Sequence, residues 1–266
     1  MKCLLVADLH YDLRKFDWVL DAAAHVDLVI LAGDHLEIAS IVARPAQAVV
    51  VQQYFRRIRE RALLMVSSGN HDLDVEEDGA LVARWVRKAP LYGVPADGEG
   101  VFIGDTLFTI CPWWHSELQE ARVLSQLEAD AARRPGRWVW VHHAPPGHSP
   151  TSWGGHRDFG SQVLRGWIEA LQPDIVLTGH VHQAPFVRDG SWADRIGRSW
   201  VFNAGHQTGP VPSHIVIDTA TTRAYWLSLT NEETAPLEPV PVRPLPRLTE
   251  PPEWLNAMAQ LAALRM

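Results

Sequence analysis

Short apolar runs of β-forming residues alternate with amphipathic stretches along most of this chain, and this alternation restricts the fold more than any other feature. The runs CLLVA, LVILA and LLMVS are almost continuously apolar, which is typical of strands that are buried on both faces. Alternation of strands with helices predicts sheets that carry helices on their outer faces. The predicted strands span 2–7, 27–32, 62–67, 106–111, 137–141 and 174–177, and the predicted helices span 12–25, 45–61, 79–88, 117–133 and 160–171.

The character of the sequence changes after Gly179. Strands are predicted over 200–203, 214–218 and 223–229, and the last two form a hairpin. The stretch 232–252 is rich in proline and is predicted to be an extended strap without strand or helix periodicity. A final helix is predicted from 253 to 265, with Leu264 the last member of its apolar stripe. We therefore expect one α/β domain over residues 1–231 and an appended segment over 232–266 that docks on the domain or on a second subunit of a homo-oligomer.

Charge and cysteine content restrict the class of protein. The 266-residue chain has a formal net charge of −7, which argues against a protein whose main task is non-specific adhesion to nucleic acid. Cys3 and Cys111 both lie in apolar runs and are expected to be small buried side chains in a reducing compartment. No apolar run approaches the roughly 20 residues that a membrane helix needs, and the first predicted strand leaves no room for a signal peptide. A cytoplasmic protein without a membrane partner is expected.

Five polar clusters follow apolar strands at the points where the strands end. In α/β sheets the carboxyl ends of the strands gather at one edge, where ligands bind. Residues i and i+2 of an extended chain point to the same side, so that Asp-X-His and His-X-His pairs reach one site or two neighbouring sites. The clusters are Asp8-Leu9-His10, Gly33-Asp34-His35, Gly69-Asn70-His71-Asp72, His142-His143 and Gly179-His180-Val181-His182.

The side chains in these clusters are typical of a metal site. Carboxylate, amide and imidazole donors without thiolates suit Mn, Fe, Zn or Ni. A lone histidine is more often a satisfied core or surface residue than a ligand. Five ordered clusters of buried carboxylates and imidazoles would, however, leave charges uncompensated without a cation. The sequence therefore predicts a metal site at this edge.

The order of these motifs resembles the calcineurin-like metallophosphoesterases, and the resemblance spans Lys2 to about Asp218. It implies a four-layered α/β/β/α sandwich of two mainly mixed sheets, with a site for two divalent or trivalent metal ions, manganese preferred, at one edge. It further implies that Asp8, His10 and His182 hold the first metal and that Asp34 bridges both. Asn70, His142 and His180 are then expected to hold the second metal. His142 is favoured over His143 because the family places its ligand first.

The resemblance also implies a reaction. A hydroxide shared by the two cations attacks phosphorus, and His71 is expected to be the general acid that protonates the leaving group. The family usually has an aspartate that orients the catalytic histidine at the position where this chain has Glu37. Glu37 keeps a carboxylate there and is expected to orient His71, with Asp72 as the alternative orienting residue.

Three functions remain open from the sequence. The leading expectation is an enzyme that hydrolyses a small phosphomonoester or phosphodiester, nucleotides included. A metal-dependent nuclease, with DNA or RNA only as substrate, is the alternative, but the chain has no basic insertion that would support it. A non-catalytic scaffold of the same fold is the second alternative, although the ligand set and His71 are all present.

Overall fold

The computed structural model of the protein describes residues 1–134 and 136–263. The strands are β1 (Lys2–Val6), β2 (Leu28–Ala32), β3 (Leu63–Ser67), β4 (Val75–Glu77), β5 (Ala80–Val82), β6 (Gly100–Ile103), β7 (Thr106–Ile110), β8 (Arg137–Val141), β9 (Ile175–Thr178), β10 (Ala193–Ile196), β11 (Ser199–Asn203), β12 (His214–Asp218), β13 (Arg223–Leu227) and β14 (Glu232–Pro236). The helices are α1 (Leu13–Ala22), α2 (Arg44–Arg59), α3 (Glu117–Ala131), α4 (Gln162–Leu171) and α5 (Glu253–Ala263), with short 3-10 helices at Ala23–His25, Val86–Tyr92, Pro150–Ser152 and Ala184–Phe186.

Two six-stranded mixed sheets form the centre of the molecule. The first has the order β14-β13-β12-β1-β2-β3, in which β1, β2 and β3 are parallel and the other pairs are antiparallel. The second has the order β10-β11-β9-β8-β7-β6, with parallel pairs at its centre and antiparallel strands at both edges. The polar clusters that follow β1, β2, β3, β8 and β9 therefore extend from the carboxyl ends of parallel strands.

Alternating side chains divide the core into layers. Leu5 of β1 and Val141 of β8 share the apolar cluster between the sheets, because successive residues of a strand point to opposite faces. Leu4 faces the outer layer that contains α1, α2 and α5, and Trp140 faces the outer layer of α3 and α4. This arrangement confirms the predicted four-layered α/β/β/α sandwich.

The prediction of a helix over 79–88 is wrong. Residues 75–82 form the β4–β5 hairpin, and a 3-10 helix begins only at Val86. Asp78 and Gly79 both have positive φ angles, of 52° and 75°, as a tight type I′ hairpin turn requires. The Asp-Gly dipeptide was the available signal. Strands β6 and β10, which lie at the edges of the second sheet, were also absent from the prediction.

The C-terminal segment belongs to the first sheet and its outer layer. Residues 232–236, predicted to have no strand structure, pair with β13 as the edge strand β14. Helix α5 begins at Glu253 as predicted, and its Leu255 and Met258 are buried in the cluster that contains Phe16 of α1. The helix therefore docks on its own chain, while Leu264 and the predicted end at Arg265 lie outside the described residues.

Two further predictions concern the whole chain. Cys3 and Cys111 are buried free thiols, as expected. Within the described ranges, no helix combines the length and the apolar character needed to span a bilayer.

Candidate metal centre

The polar clusters from both sheets meet at one place. After β1 and β2 the two loops run side by side, with the Asp8 N–H donating to the Gly33 carbonyl at 3.1 Å and the His10 N–H donating to the Asp34 carbonyl at 3.0 Å. The second sheet reaches the same place through His180, whose backbone N–H donates to the Asp8 carboxylate at 3.0 Å. The edges of the two sheets are thus joined through the carboxylate of Asp8.

The backbone at this junction is held in an uncommon conformation. Asp8, His10, Asp34 and His180 all have φ angles between 46° and 68°. Non-glycine residues rarely occupy this left-handed region, and where they do the surrounding structure must compensate for the strain. Four residues of the predicted ligand set share this strain, which is typical of a functional site.

Asp8 lies among imidazoles on one side of the junction. Its Oδ1 atom is 3.2 Å from Nε2 of His182 and 3.9 Å from Nε2 of His10. The two Nε2 atoms of His10 and His182 are themselves 3.1 Å apart. The structure therefore brings together Asp8, His10 and His182, the three residues predicted for the first metal.

Asp34 lies at the centre of the second group. Its Oδ2 atom is 3.1 Å from Nε2 of His143, 3.9 Å from Nε2 of His71 and 4.0 Å from Nε2 of His10. Donor atoms of Asp34, His143 and His180 all lie within 4.8 Å of one another, as do those of His10, Asp34 and His71. Asp34 thus contacts both groups of histidines, as a bridging carboxylate must.

The structure does not bring His142, the histidine preferred from the sequence, to these donors, and the neighbouring His143 lies there instead. Along β8, Val141 faces the core between the sheets and Trp140 faces the outer helices. The alternation continues past the strand, so that His143 points inward to the carboxylates. The His142 ring instead stacks on Trp114 with centroids 4.2 Å apart. The sequence alone does not indicate which of the two histidines faces the space between the sheets and which faces the outer helices.

Asn70 lies on the loop that follows β3. The flanking residue His71 donates its backbone N–H to Oδ1 of Asp34 at 2.8 Å, which holds the loop against the centre. The side-chain oxygen of Asn70 is buried without a hydrogen-bond partner among the described residues. A buried polar oxygen without a partner is costly, and a cation would satisfy it.

Glu37, rather than Asp72, accompanies the rings of His10 and His71. The Glu37 carboxylate lies 3.4 Å from Nδ1 of His10 and 3.9 Å from Nδ1 of His71. Asp72 accepts hydrogen bonds from the backbone N–H groups of His35, Leu36 and Gly69 at 2.8–3.0 Å. Asp72 therefore ties two site loops together, and within the described residues no hydrogen bond or ion pair joins its carboxylate to the His71 ring.

The electrostatics of the centre favour a positive charge. Burial opposes protonation of His143, but the charges of Asp34 and Asp8 raise its pKa to about 9. Burial also disfavours the charged form of Asp8, yet the hydrogen bond from His182 and the charge of His143 hold the pKa of Asp8 far below its usual range. The pKa of His180 is lowered to about 4, by burial and by the charge of His143. Two buried carboxylates that draw positive charge, beside the neutral imidazole of His180, fit a cation.

His206 and Lys15 adjoin the centre; the sequence left the role of His206 open between function and structure and gave no indication of Lys15. Nδ1 of His206 lies 2.7 Å from the Asp8 carbonyl oxygen and must donate to it. Its other nitrogen, Nε2, then carries the lone pair, and the buried ammonium of Lys15 lies 3.3 Å from it. Both ring nitrogens are thereby engaged, so that His206 supports the centre instead of completing a ligand group with His10 and His182. No sequence pattern links Lys15 to a residue so distant in the chain.

Two glycines allow the loops to approach one another. Gly33 has a φ angle of 86°, and a Cβ atom there would overlap the ring of His143. A Cβ atom on Gly69 would overlap Asp34. Gly33 therefore permits both a left-handed turn and a close approach to His143, whereas Gly69 permits a close approach to Asp34.

A comparison with protein families supplies the decisive observation. A family model described as calcineurin-like phosphoesterase matches residues 1–184, more than half of the chain. The chain belongs to the calcineurin-like phosphoesterase family. This membership confirms the resemblance noted in the sequence and the prediction of a metal-dependent phosphoesterase.

Solved structures agree on the fold of this calcineurin-like phosphoesterase. The structure of TT1561 from Thermus thermophilus has 16% identity and a TM-score of 0.57, covering 89% of this chain and 99% of its own. A purple acid phosphatase, PPD1 from yellow lupin (Lupinus luteus) seeds, has 13% identity and a TM-score of 0.52, covering 89% of this chain and 51% of its own. Among curated proteins, no sequence matches this chain significantly. At these identities the structural likeness shows the fold alone.

Proposed function

We propose that the protein hydrolyses small phosphate esters, diesters or monoesters, at a centre of two metal ions. The observation that carries this proposal is the meeting of two buried carboxylates, an unpaired amide oxygen and several imidazoles at the joined edges of the sheets. When bound there, a pair of divalent cations activates water and offsets the charge on phosphoryl oxygens. The residues proposed to hold them are Asp8, His10, Asp34, Asn70, His143, His180 and His182.

Within this proposal, Asp34 is the carboxylate that serves both ions. Its Oδ2 atom faces His143 on one side and His10 on the other, at 3.1 Å and 4.0 Å. Each carboxylate oxygen has two lone pairs, so that Oδ2 can face two cations while Oδ1 accepts the backbone N–H of His71. The shortest imidazole contact of the Asp8 Oδ1 atom is with Nε2 of His182, at 3.2 Å, whereas Nε2 of His143 lies 3.8 Å away. This difference supports the assignment of Asp8 to the ion held by His182.

His71 is the proposed proton donor to the leaving group. Its side chain is 20% exposed, whereas Asp34 beside it is buried, so that His71 can meet both the centre and a substrate. Nε2 of His71 faces the centre and Nδ1 faces Glu37. Glu37 is proposed to orient the rings of His71 and His10, since a carboxylate that accepts from one imidazole nitrogen determines the role of the other.

The choice of metal and the cellular location are also proposals. Oxygen and imidazole donors without sulfur favour manganese, with iron, zinc and nickel as alternatives. The two buried free thiols support a cytoplasmic location. The net charge of −7 supports small esters over nucleic acid as substrates.

A metal-reconstituted activity screen tests the proposal. The purified protein is stripped of metal, loaded with manganese, and assayed with bis-p-nitrophenyl phosphate, p-nitrophenyl phosphate, cyclic nucleotides and single-stranded DNA. We expect metal-dependent release of nitrophenol, and elemental analysis is expected to give about two ions per chain. Absence of turnover on every ester with both ions bound would contradict the proposed function.

A further inference from the structure

A cavity of about 490 Å³ opens directly beside the candidate metal centre. His182 and His206 form its polar end, and Phe186, Val187 and Leu229 contribute apolar surface. Its volume lies within the range of about 300–1,000 Å³ that small-molecule sites occupy. The cavity shares His182 with the centre, so that a ligand in it would extend from the reacting phosphorus.

The apolar walls are exposed and held in place. Phe186 is 38% exposed and Leu229 is 47% exposed, yet the Phe186 ring packs on buried Trp226 with centroids 5.3 Å apart. The side chain of Gln207 accepts from the Leu229 N–H at 2.9 Å, which joins two of the three segments that line the cavity, and it donates to the Val211 carbonyl of its own loop at 2.8 Å. Exposed apolar side chains on a fixed frame beside a polar centre are typical of a ligand site.

A buried positive charge lies behind the polar end of the cavity. The rings of His182 and His206 are stacked with centroids 4.7 Å apart, and the ammonium of Lys15 lies 3.3 Å from His206. A lysine cation close to this end attracts an anionic phosphate group. The cavity thus fits an amphipathic ligand, with the phosphate at the histidine end and an apolar or aromatic group against Phe186 and Leu229.

The cavity lies away from the proposed proton donor. The His10 ring contacts both His71, with centroids 4.6 Å apart, and His182, with centroids 5.0 Å apart. Among the described residues, no ring contact joins His71 to His182 or to His206, and His71 does not line the cavity. The leaving group must be near His71 to be protonated, so that the cavity is placed for a different substituent of the phosphorus.

We infer that this cavity binds the retained ester group of a phosphodiester and that the enzyme prefers diesters with an apolar or aromatic substituent there. The inference rests on the proposed function and adds the substrate class. The single ester group of a monoester is its leaving group, which lies on the His71 side. A monoester therefore does not occupy the cavity.

Steady-state kinetics of Phe186→Ala and Leu229→Ala test this inference on the metal-reconstituted protein. For bis-p-nitrophenyl phosphate we expect KM to rise about 10-fold with kcat nearly unchanged, because a hydrophobic contact made equally in ground and transition states is lost. For p-nitrophenyl phosphate we expect no change in either constant. Phe102→Ala is the matched control, since Phe102 is 40% exposed on the remote edge strand β6. Circular dichroism checks the fold of each variant, and Leu229→Ala keeps the test valid if Phe186→Ala is unstable.

The outcomes separate the two proposals. An equal rise in KM for both esters would place the leaving group in the cavity and overturn the assignment of the retained group. Unchanged KM for both esters in an active enzyme would overturn the cavity as a subsite and leave the proposed function standing. A wild-type protein that hydrolyses neither ester with its metals bound would contradict the proposed function, and the substrate assignment with it.

Discussion

The adjacent histidines His142 and His143 offer a sharp test of the candidate centre, because phenylalanine can replace either ring at nearly the same size. His143→Phe removes the Nε2 atom that lies 3.1 Å from Oδ2 of Asp34 and the Nδ1 atom that lies 2.7 Å from the Ala32 carbonyl oxygen. His142→Phe removes an Nδ1 atom that is buried without a partner among the described residues, and it keeps the stacking on Trp114. The two variants should therefore behave differently.

The contacts give the size of each effect. Removal of one partner from a buried ion pair costs about 3–5 kcal/mol, and His143→Phe leaves the Asp34 carboxylate against an apolar ring. At about 2–4 °C per kcal/mol for a chain of this size, the melting temperature should fall by roughly 6–20 °C. In His142→Phe, relief of an unsatisfied buried nitrogen offsets the loss of other polar contacts, since each effect is on the order of 1 kcal/mol. Its stability should remain within about 1 kcal/mol of the wild-type value.

Elemental analysis after dialysis against limiting manganese measures the functional effect, and thermal unfolding followed by circular dichroism measures stability. We expect His142→Phe to keep about two ions per chain and His143→Phe to keep about one. If His143→Phe does not fold, the pair His142→Gln and His143→Gln retains polar side chains and gives the same comparison. Loss of metal from the His142 variant, with both ions retained in the His143 variant, would refute the geometry argued above.

Three further changes probe other parts of the molecule. His71→Ala should keep its metals and lose about 100- to 10,000-fold in kcat, the usual contribution of a general acid; unchanged turnover would remove His71 from the mechanism. Asp34→Asn should lower metal content and activity more than Glu37→Gln, because Asp34 faces both ligand groups and Glu37 only orients rings; the opposite ranking would contradict these roles. His214 is buried against Trp18, and burial lowers its pKa to about 4 from 6.5. The unfolded state therefore takes up the proton between these values, and the stability present above pH 6.5 is lost on acidification. Urea titrations between pH 7 and pH 4 measure this loss, and over this range the free energy of unfolding of His214→Phe should fall by about 3 kcal/mol less than that of the wild type. An equal fall in both proteins would show that His214 does not cause the loss.

Local sequence order was sufficient for much of the fold. The strands β1, β2 and β3 were predicted within a residue of their observed ends because they are continuous apolar runs that end in polar clusters. The helices α2 and α4 were predicted within two residues of their observed ends. The edge strands β6, β10 and β14 were missed, since only one neighbouring strand supports each of them and their sequences carry little periodic signal. The hairpin at Asp78 and Gly79 was missed although its turn signal was present.

The sequence by itself determined the family, the layered α/β architecture and the kinds of donor atom at the centre. These properties depend on apolar periodicity and on motif order, which are local. The tertiary structure alone decided that His143 faces the carboxylates, that Glu37 and not Asp72 accompanies His71, and that Lys15 adjoins His206. Each of these depends on how one sheet is placed against the other or on contacts between distant segments, such as the 191 residues that separate Lys15 from His206. No local pattern encodes such distances, because they arise only when the two sheets pack together.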